Sequence, residues 1–586
     1  MCGIAGIAGS NVRKFSSRVR QMTDAIRHRG PDGEAIADFE NCVLGHRRLS
    51  IIDLVTGGQP MHSPFGASLI FNGEFYGFLD IKKHLQYNWQ TTSDTEVVLA
   101  LYHQFGEDEF IKKIRGMFAF AIWDEKNQAL IAARDRFGEK PFYYAFTNES
   151  DLVFASEIKA ILASGLIKPE IDPEALTHFL QHLYVHPHHS IYKNIFVLPP
   201  AHYLVYKEGK TIIRRYWDLP QKQLNISKEE AHQECYRLMQ KAVKEQLVAD
   251  VPVGCFLSGG IDSSTITAFA SLQTSHPLTT ISFSFGSNKT ELPYSREIAE
   301  KYKTNNIELH QDDFDIANWF EKMIFIYDEP FADSSNIPTF LISQMASKQF
   351  KVVLTGDGGD ELMAGYRSWY RSLYQLQHPD GFKSRLQNFS RKIHLKNFRS
   401  SNMAEAHLQQ NNYFTQKELQ RLAKYSPGYD YDKFIDQPYN TVDAAMRMDL
   451  QDYMPGDILV KTDRAAMANS LELRAPFLDI DFAEFCIALP EDYKIDSKND
   501  KLLMRESFGH LWTERILNRP KQGFGAPVTE WLNQKGMMQL KNDYLLNSSN
   551  KMYDWLDYKT CIQYAKKNNY QTWLLLTLAI WMQRNH

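Results

Sequence analysis

The sequence predicts an α/β protein made of two differently built parts, and three observations carry that expectation. The first third is dense in short strand-like runs punctuated by glycine. After Ser227 the rhythm changes to strands alternating with helices, the pattern of a parallel sheet covered on both faces. At 586 residues, the chain is also too long for a single hydrophobic core.

Val43-Leu44, Leu69-Ile70-Phe71, 117–123 and 129–133 read as the early strands. Phe118-Ala119-Phe120-Ala121-Ile122-Trp123 is continuously apolar, as a strand buried on both faces should be. Stacked sheets with flanking helices are therefore expected. Leu198-Pro199-Pro200 marks the end of this part, and the polar stretch 221–225 reads as a linker, dividing the chain into 1–215 and 226–586. A helix over 228–249 then leads to an apolar strand at 251–257, a glycine turn and a helix from Ser263 onward. Further strands are expected at 279–285, 306–309 and 351–354. Residues 375–439 are polar and helical, an elaboration over the sheet, and the apolar run 573–582 fits a buried helix too short to span a bilayer.

Apolar residues make up 44% and charged residues 23%, an ordinary globular balance. A net charge of -4 offers no electrostatic case for nucleic acid or an anionic membrane. Six cysteines occur without a CxxC pair, so neither a disulfide framework nor a structural zinc site is expected. No secretory signal precedes Met1-Cys2-Gly3, and the chain reads as reducing and cytoplasmic.

Cys2 is the most informative residue. Loss of Met1 would put a thiol and a free α-amino group on one residue, and an amine of pKa roughly 7.7–8.0 is a usable base near neutral pH. Nucleophile and proton acceptor then coincide. Position alone is weak evidence, but Cys2 has company: Arg27-His28-Arg29-Gly30-Pro31-Asp32, Gly45-His46-Arg47-Arg48-Leu49-Ser50, Phe71-Asn72-Gly73-Glu74 and Ser93-Asp94-Thr95-Glu96. Arg134-Asp135-Arg136-Phe137-Gly138 and Lys140-Pro141-Phe142-Tyr143-Tyr144 follow. In order and spacing this set resembles the class II glutamine amidotransferases over roughly the first third of the chain. The resemblance implies an αββα N-terminal-nucleophile sandwich in which Cys2 attacks the glutamine side-chain amide and ammonia leaves. It implies that the Asn72 side-chain amide and the Gly73 N–H stabilise the oxyanion. Arg48 and Leu49 would help bind glutamine, Arg48 through the α-carboxylate, with Glu74 and Asp94 accepting the α-ammonium. The plain reading of those two acids is a turn carboxylate and a helix cap.

Cys255-Phe256-Leu257-Ser258-Gly259-Gly260-Ile261-Asp262-Ser263-Ser264 leaves an apolar strand and opens a helix, the setting in which a glycine loop binds phosphate. It lacks a Walker ending and resembles the PP-loop of ATP pyrophosphatases, which release AMP and pyrophosphate. Thr355-Gly356-Asp357-Gly358-Gly359-Asp360-Glu361, Val460-Lys461-Thr462-Asp463-Arg464, Arg474-Ala475-Pro476-Phe477-Leu478-Asp479 and Lys521-Gln522-Gly523-Phe524 complete a resemblance to the asparagine synthase family over almost the whole chain. It implies a Rossmann-like parallel-sheet PP-loop domain that adenylates a carboxylate, after which ammonia displaces AMP. Leu257, Ser258, Gly259, Gly260, Asp262, Ser263, Ser264, Phe285, Thr355 and Gly356 would bind ATP. Asp262 and Asp360 would hold Mg²⁺, Lys461 would neutralise phosphate charge, and Asp357 occupies the position tied to intermediate formation. Ammonia would pass between the sites through an apolar tunnel, shielded from water.

Three departures stand out. Asp357 replaces the Glu of the best-known aspartate amidators, Ser334 aligns with their arginine, and Ala201 replaces the glycine usual after a paired proline. The function expected is glutamine-hydrolysing asparagine synthase acting on aspartate, glutamine and ATP, and a homodimer is the assembly common in such a family. The nearest rival amidates another carboxylate, a sugar uronate or a peptide. Ammonia transfer without adenylation is disfavoured by the SGGIDSS loop, and a retired, non-enzymatic scaffold by the retained Cys2, Asn72, Asp94, Asp262, Asp360 and Lys461. His178, His182, His186, His188 and His189 cluster locally, and a surface helix and turn is expected there rather than a metal site.

Overall fold

Alternation along the first strand decides how the first part packs. In Cys2–Ala8, Ile4 and Ala8 face one core, while Ala5 and Ile7 face another. The same parity governs Gly116–Asp124: Ala119, Ala121 and Trp123 join Ile4 and Ala8, whereas Phe118, Phe120 and Ile122 turn the opposite way. The apolar run is therefore buried on both faces, as its composition required. The computed structural model describes residues 1–285, 291–311, 315–378, 403–428, 441–519 and 526–585.

Two antiparallel six-stranded sheets result. The first orders Ile195–Val197, Tyr143–Phe146, Leu152–Ala155, Cys2–Ala8, Cys42–Arg48 and Gly33–Asp38; the second orders Lys210–Arg215, His202–Lys207, Ala129–Arg134, Gly116–Asp124, Ala67–Phe75 and Met61–His62. Their inner faces share one apolar layer. Helix Ser16–Ala25 covers the outside of the first through Val19 and Met22, and helix Asp94–Lys113 the outside of the second through Val97, Val98, Leu101 and Phe110. This is the αββα sandwich.

The second part holds a five-stranded parallel sheet in the order Asn305–Gln311, Thr279–Phe285, Val253–Phe256, Val352–Leu354, Glu472–Arg474. Chain order reverses between Val253–Phe256 and Val352–Leu354, so the loops leaving these two strands diverge and leave a crevice at their carboxyl ends. The Ser227 side chain and Glu230 form a capping box that starts helix Lys228–Gln246. That helix ends short of the predicted boundary at 249, and the strand after it is shorter than 251–257. The strand Glu472–Arg474 was not expected: Leu471 and Leu473 alternate with two charged residues, which hides a buried edge strand. Of the predicted helical elaboration, helices Met403–Gln410 and Gln416–Leu422 are described, and 379–402 and 429–440 lie outside the described residues.

The C-terminal helix Tyr570–Asn585 is buried over 573–582, in the apolar cluster that also takes in Ala5, Ile7 and Phe179 of the first part. Trp581 Nε1 donates to the Asp328 carbonyl at 2.7 Å. Among the described residues no helix is long and apolar enough to cross a membrane. The histidine expectation needs correction. Helix Pro173–His182 is buried, and His178, His182 and His186 lie in the interior rather than on a surface turn. The reason is tertiary: Tyr184 and Asp452 cover them, the latter 3.7 Å from His178 Nε2. Among the described residues no group of three or more His, Cys, Asp or Glu could hold a metal ion.

Candidate active sites

Cys2 opens its strand opposite Arg48, and its backbone N–H donates to Asn72 Oδ1 at 2.9 Å, which ties the first sheet to the second. The same bond aims the Asn72 amide: Nδ2 is fully buried without a hydrogen-bond partner. A buried donor left unmade costs about 1–3 kcal/mol, so an orphan beside a thiol is a strong sign of a place kept for a ligand oxygen. Gly73 follows on the same strand, where a Cβ would lie 2.2 Å from the Met117 carbonyl, so only glycine fits against the neighbouring strand. Burial pushes the Cys2 thiol above its ordinary range; the terminal amino group, the Leu49 N–H and Arg48 act against that rise. A thiol held protonated needs a base to become a nucleophile.

Arg48 is half-buried, and its guanidinium donates to the Ile52 carbonyl at 3.3 Å and to that of Asp53. Leu49 is buried and donates its N–H to the Met1 carbonyl at 3.2 Å. Asp94 is the first residue of its helix, one past the Ser93 cap, rather than the cap itself; it accepts from Thr95 N at 2.8 Å and from Phe75 N at 2.9 Å. Glu74 is buried against Arg474, 3.3 Å away on the last strand of the parallel sheet. Burial and the nearby Glu472 carry its carboxyl well above the usual range.

Arg29, wholly buried, donates to the Cys2 carbonyl at 3.1 Å, to Glu157 at 2.9 Å and to both oxygens of Asp463 at 2.8 and 2.9 Å. Asp463 shares helix Leu459–Met467 with Lys461, so one guanidinium spans from the thiol's backbone to the second site. The residue was visible in the RHRGPD motif; its reach was not.

The second site lies in the crevice of the parallel sheet, a cavity of about 510 Å³. Gly259 has φ +72, and a Cβ there would sit 2.5 Å from that of Tyr294. This left-handed glycine lets the chain turn from strand to helix Ile261–Gln273. Ser258 Oγ and Ser263 Oγ lie 3.0 Å apart across the turn, and Ser264 N donates to the Gly260 carbonyl at 3.0 Å. Leu257 N bonds the Ile281 carbonyl at 2.9 Å. Gly356 brings the second loop against the first, since a Cβ would be 2.9 Å from that of Asp262. Leu257, Ser258, Gly260, Asp262 and Ser263 line the cavity with Thr355, Gly356, Asp357, Asp360 and Lys461; Gly259 and Ser264 do not line it. The side chain of Phe285 and the Lys521-Gln522-Gly523-Phe524 motif lie outside the described residues.

Asp262 and Asp360 converge on one cation: Lys501 Nζ contacts the first and is 2.7 Å from the second. Two carboxylates gathered around a point charge at a phosphate-type loop fit a divalent ion. Lys461 Nζ donates to Asp333 at 2.8 Å; burial opposes its charge, but Asp333 and Asp457 hold it protonated above the ordinary range. Burial raises Asp357, which accepts from the Thr355 hydroxyl at 2.8 Å. Beyond Lys461 the cavity is walled by Ser334, Tyr366, Tyr453 and Tyr570, with Ser334 Oγ 3.0 Å from Tyr570 Oη. Sequence reasoning missed Lys501, the tyrosines and the Lys461–Asp333 pair, because no local spacing records partners so far apart along the chain.

Residues 1–217 match the model of the glutamine amidotransferase domain, and residues 234–583 match that of asparagine synthase. Asparagine synthetase [glutamine-hydrolyzing] 1 of Bacillus subtilis is 31% identical over all of this chain and 97% of its own length. A putative asparagine synthetase [glutamine-hydrolyzing] of Mycobacterium bovis is 31% identical, covering 92% of this chain and 89% of the relative. Amidase chry2 of Gibberella zeae is 27% identical, covering 91% and 90% respectively. A solved chain titled as the allosteric regulatory enzyme of purine biosynthesis is 15% identical, covering 53% of this chain and 90% of its own, at a TM-score of 0.30.

Proposed function

The chain belongs to the asparagine synthase family of glutamine-dependent ligases, and we propose that it is a glutamine-hydrolysing asparagine synthase, with a glutaminase in 1–215 and an ATP pyrophosphatase in 226–586. The observation that carries the glutaminase half is the orphaned Asn72 Nδ2 beside Cys2. Cys2 attacks the glutamine amide carbon while its own α-amino group, freed by loss of Met1, takes the thiol proton. Asn72 Nδ2 and the Gly73 N–H meet the oxyanion, and loss of one such donor costs about 3 kcal/mol. Collapse expels ammonia and leaves a thioester, which water hydrolyses to glutamate.

In the cavity, the 257–264 loop and its helix N-terminus hold the phosphates of ATP. A substrate carboxylate attacks the α-phosphorus and pyrophosphate leaves. Asp262 and Asp360 would hold Mg²⁺, which when bound screens phosphate charge. Lys461, pinned by Asp333, faces the same charge, and Asp357 lies where acyl-adenylate and ammonia meet. A nucleophilic thiol that must stay reduced fits a cytoplasmic setting.

One observation favours a second acceptor. Among the described residues, the cations lining the cavity each bear an acidic partner: Lys461 with Asp333, Lys501 with Asp262 and Asp360, Arg505 with Asp500 and Arg519 with Glu291. Aspartate brings a second carboxylate needing a cation, whereas a uronate or peptide carboxylate does not. The deciding experiment supplies glutamine, ATP, Mg²⁺ and aspartate and quantifies asparagine, AMP and pyrophosphate together. Equal yields that vanish without aspartate establish the first reading. Glutamate without asparagine or AMP shifts the acceptor to another carboxylate.

A further inference from the structure

We propose that Glu472, on the last strand of the parallel sheet, reads the α-ammonium group of the glutamine bound at Cys2, so that the second part of the chain completes the substrate pocket of the first. The inference rests on Cys2 being the glutaminase nucleophile. Its basis is what occupies the space beside Cys2. The amino group of Met1 lies 2.6 Å from Glu472 Oε2, with Met1 and Glu472 both buried. The Met1 carbonyl accepts the Leu49 N–H at 3.2 Å. A primary ammonium and a main-chain carbonyl, the groups of one amino acid, are thus both held next to the thiol. Met1 here stands in for a ligand amino acid, and its excision vacates both contacts.

The remaining charges ask for a replacement. Glu472 Oε1 accepts from Arg474 Nε at 2.6 Å, and Glu74 shares the same guanidinium at 3.3 Å. Arg474 Nη1 is itself tethered to the Gln246 and Val248 carbonyls at 2.7 Å each, and Nε to Glu472 Oε1, which fixes the guanidinium in place. Asp94, close enough to Glu74 and Glu472 to act on both, already uses its two oxygens on backbone N–H groups. Without Met1, the Cys2 amine is held on Asn72 Oδ1 as the neutral base, the Arg474 guanidinium alone serves Glu74 and Glu472, and the oxygen released from an amine is that of Glu472. Buried charge must be compensated. The cation that arrives at this place in every turnover is the substrate's own α-ammonium.

The test compares glutamine with its deamino analogue, 4-carbamoylbutanoate, in the full-length wild type and in Glu472→Gln. Glutamate release by Glu472→Gln is expected to show a KM for glutamine raised about 10- to 100-fold, the value of one hydrogen bond between charged groups. Hydrolysis of the analogue, which has no ammonium to lose, is expected to stay within about twofold. Glu472→Asp, which keeps the charge, should recover part of the glutamine KM. Equal losses on both substrates would mean that Glu472 only holds Arg474 in place, and would overturn the proposal. So would an unchanged glutamine KM with fewer amides formed per glutamate, which would assign Glu472 to released ammonia instead. A wild type that releases no glutamate would refute the Cys2 reading itself.

Discussion

Cys2 stands on a strand, locked by the ladder to Arg48 and by its N–H to Asn72, and it is almost wholly buried. Asp357 stands instead on a turn, and Asp262 and Asp360 in the first turns of helices, all after parallel strands and around a cavity of about 510 Å³. The precision of the strand-borne site comes from register. The loop-borne site is an open crevice, and among the described residues the cations lining it are already paired. Each architecture suits the chemistry proposed for it: an oxyanion needs donors placed to a fraction of an ångström, whereas phosphate charge needs many converging groups. Between them run buried ion pairs, Arg29 with Asp463 and Arg474 with Glu74, so neither site is electrically independent.

The sharpest way to separate the two regions is to silence each in turn. Cys2→Ala should abolish glutamate release, by at least about 10³-fold, while AMP formation from added ammonia survives. Asp360→Asn should do the converse, lowering AMP formation about 100-fold and sparing glutamine hydrolysis. Loss of both activities in either folded variant would break the division.

A milder effect concerns the seam between the parts. Glu329 accepts from the Ile191 N–H at 2.6 Å and from the Tyr143 hydroxyl at 3.2 Å, and burial raises its carboxyl to about 7. The unfolded carboxyl titrates near about 4.3, so the folded state is the stronger proton binder between those values. Stability from this group is complete below about pH 4.3 and is lost as pH rises through about 7. Glu329→Gln, which keeps the shape without the proton, should flatten that decline in Tm between about pH 5 and 8. A wild-type Tm that falls in parallel with the variant would count against it.

The smallest effect tests a departure noted from sequence. Ala201 has φ +61, a left-handed conformation that disfavours a Cβ. Ala201→Gly should raise stability by at most about 1 kcal/mol, seen as a shift of a few degrees in Tm, with both activities unchanged.

Much of this molecule was legible in its residues. The 118–123 run announced a strand buried on both faces because an unbroken apolar run of that length leaves neither face for water. The helix from 228 and the glycine turn of the SGGIDSS loop were legible because both signals are local. Cys2, Asn72, Asp262 and Asp360 were singled out through motif order. The strand Glu472–Arg474 was not, since charged residues at its interior positions mimic an exposed turn. Nor was the interior placement of His178, His182 and His186, whose cover includes Asp452, far along the chain.

By itself the sequence determined the chemistry available: a thiol, a glycine loop, a set of carboxylates, and the local turns and caps that carry them. Tertiary structure alone decided the partners. It joined Glu74 to Arg474, Lys461 to Asp333, and the Met1 amine to Glu472. Buried charges are settled by whichever opposite charge the packing delivers, and sequence spacing holds no record of that.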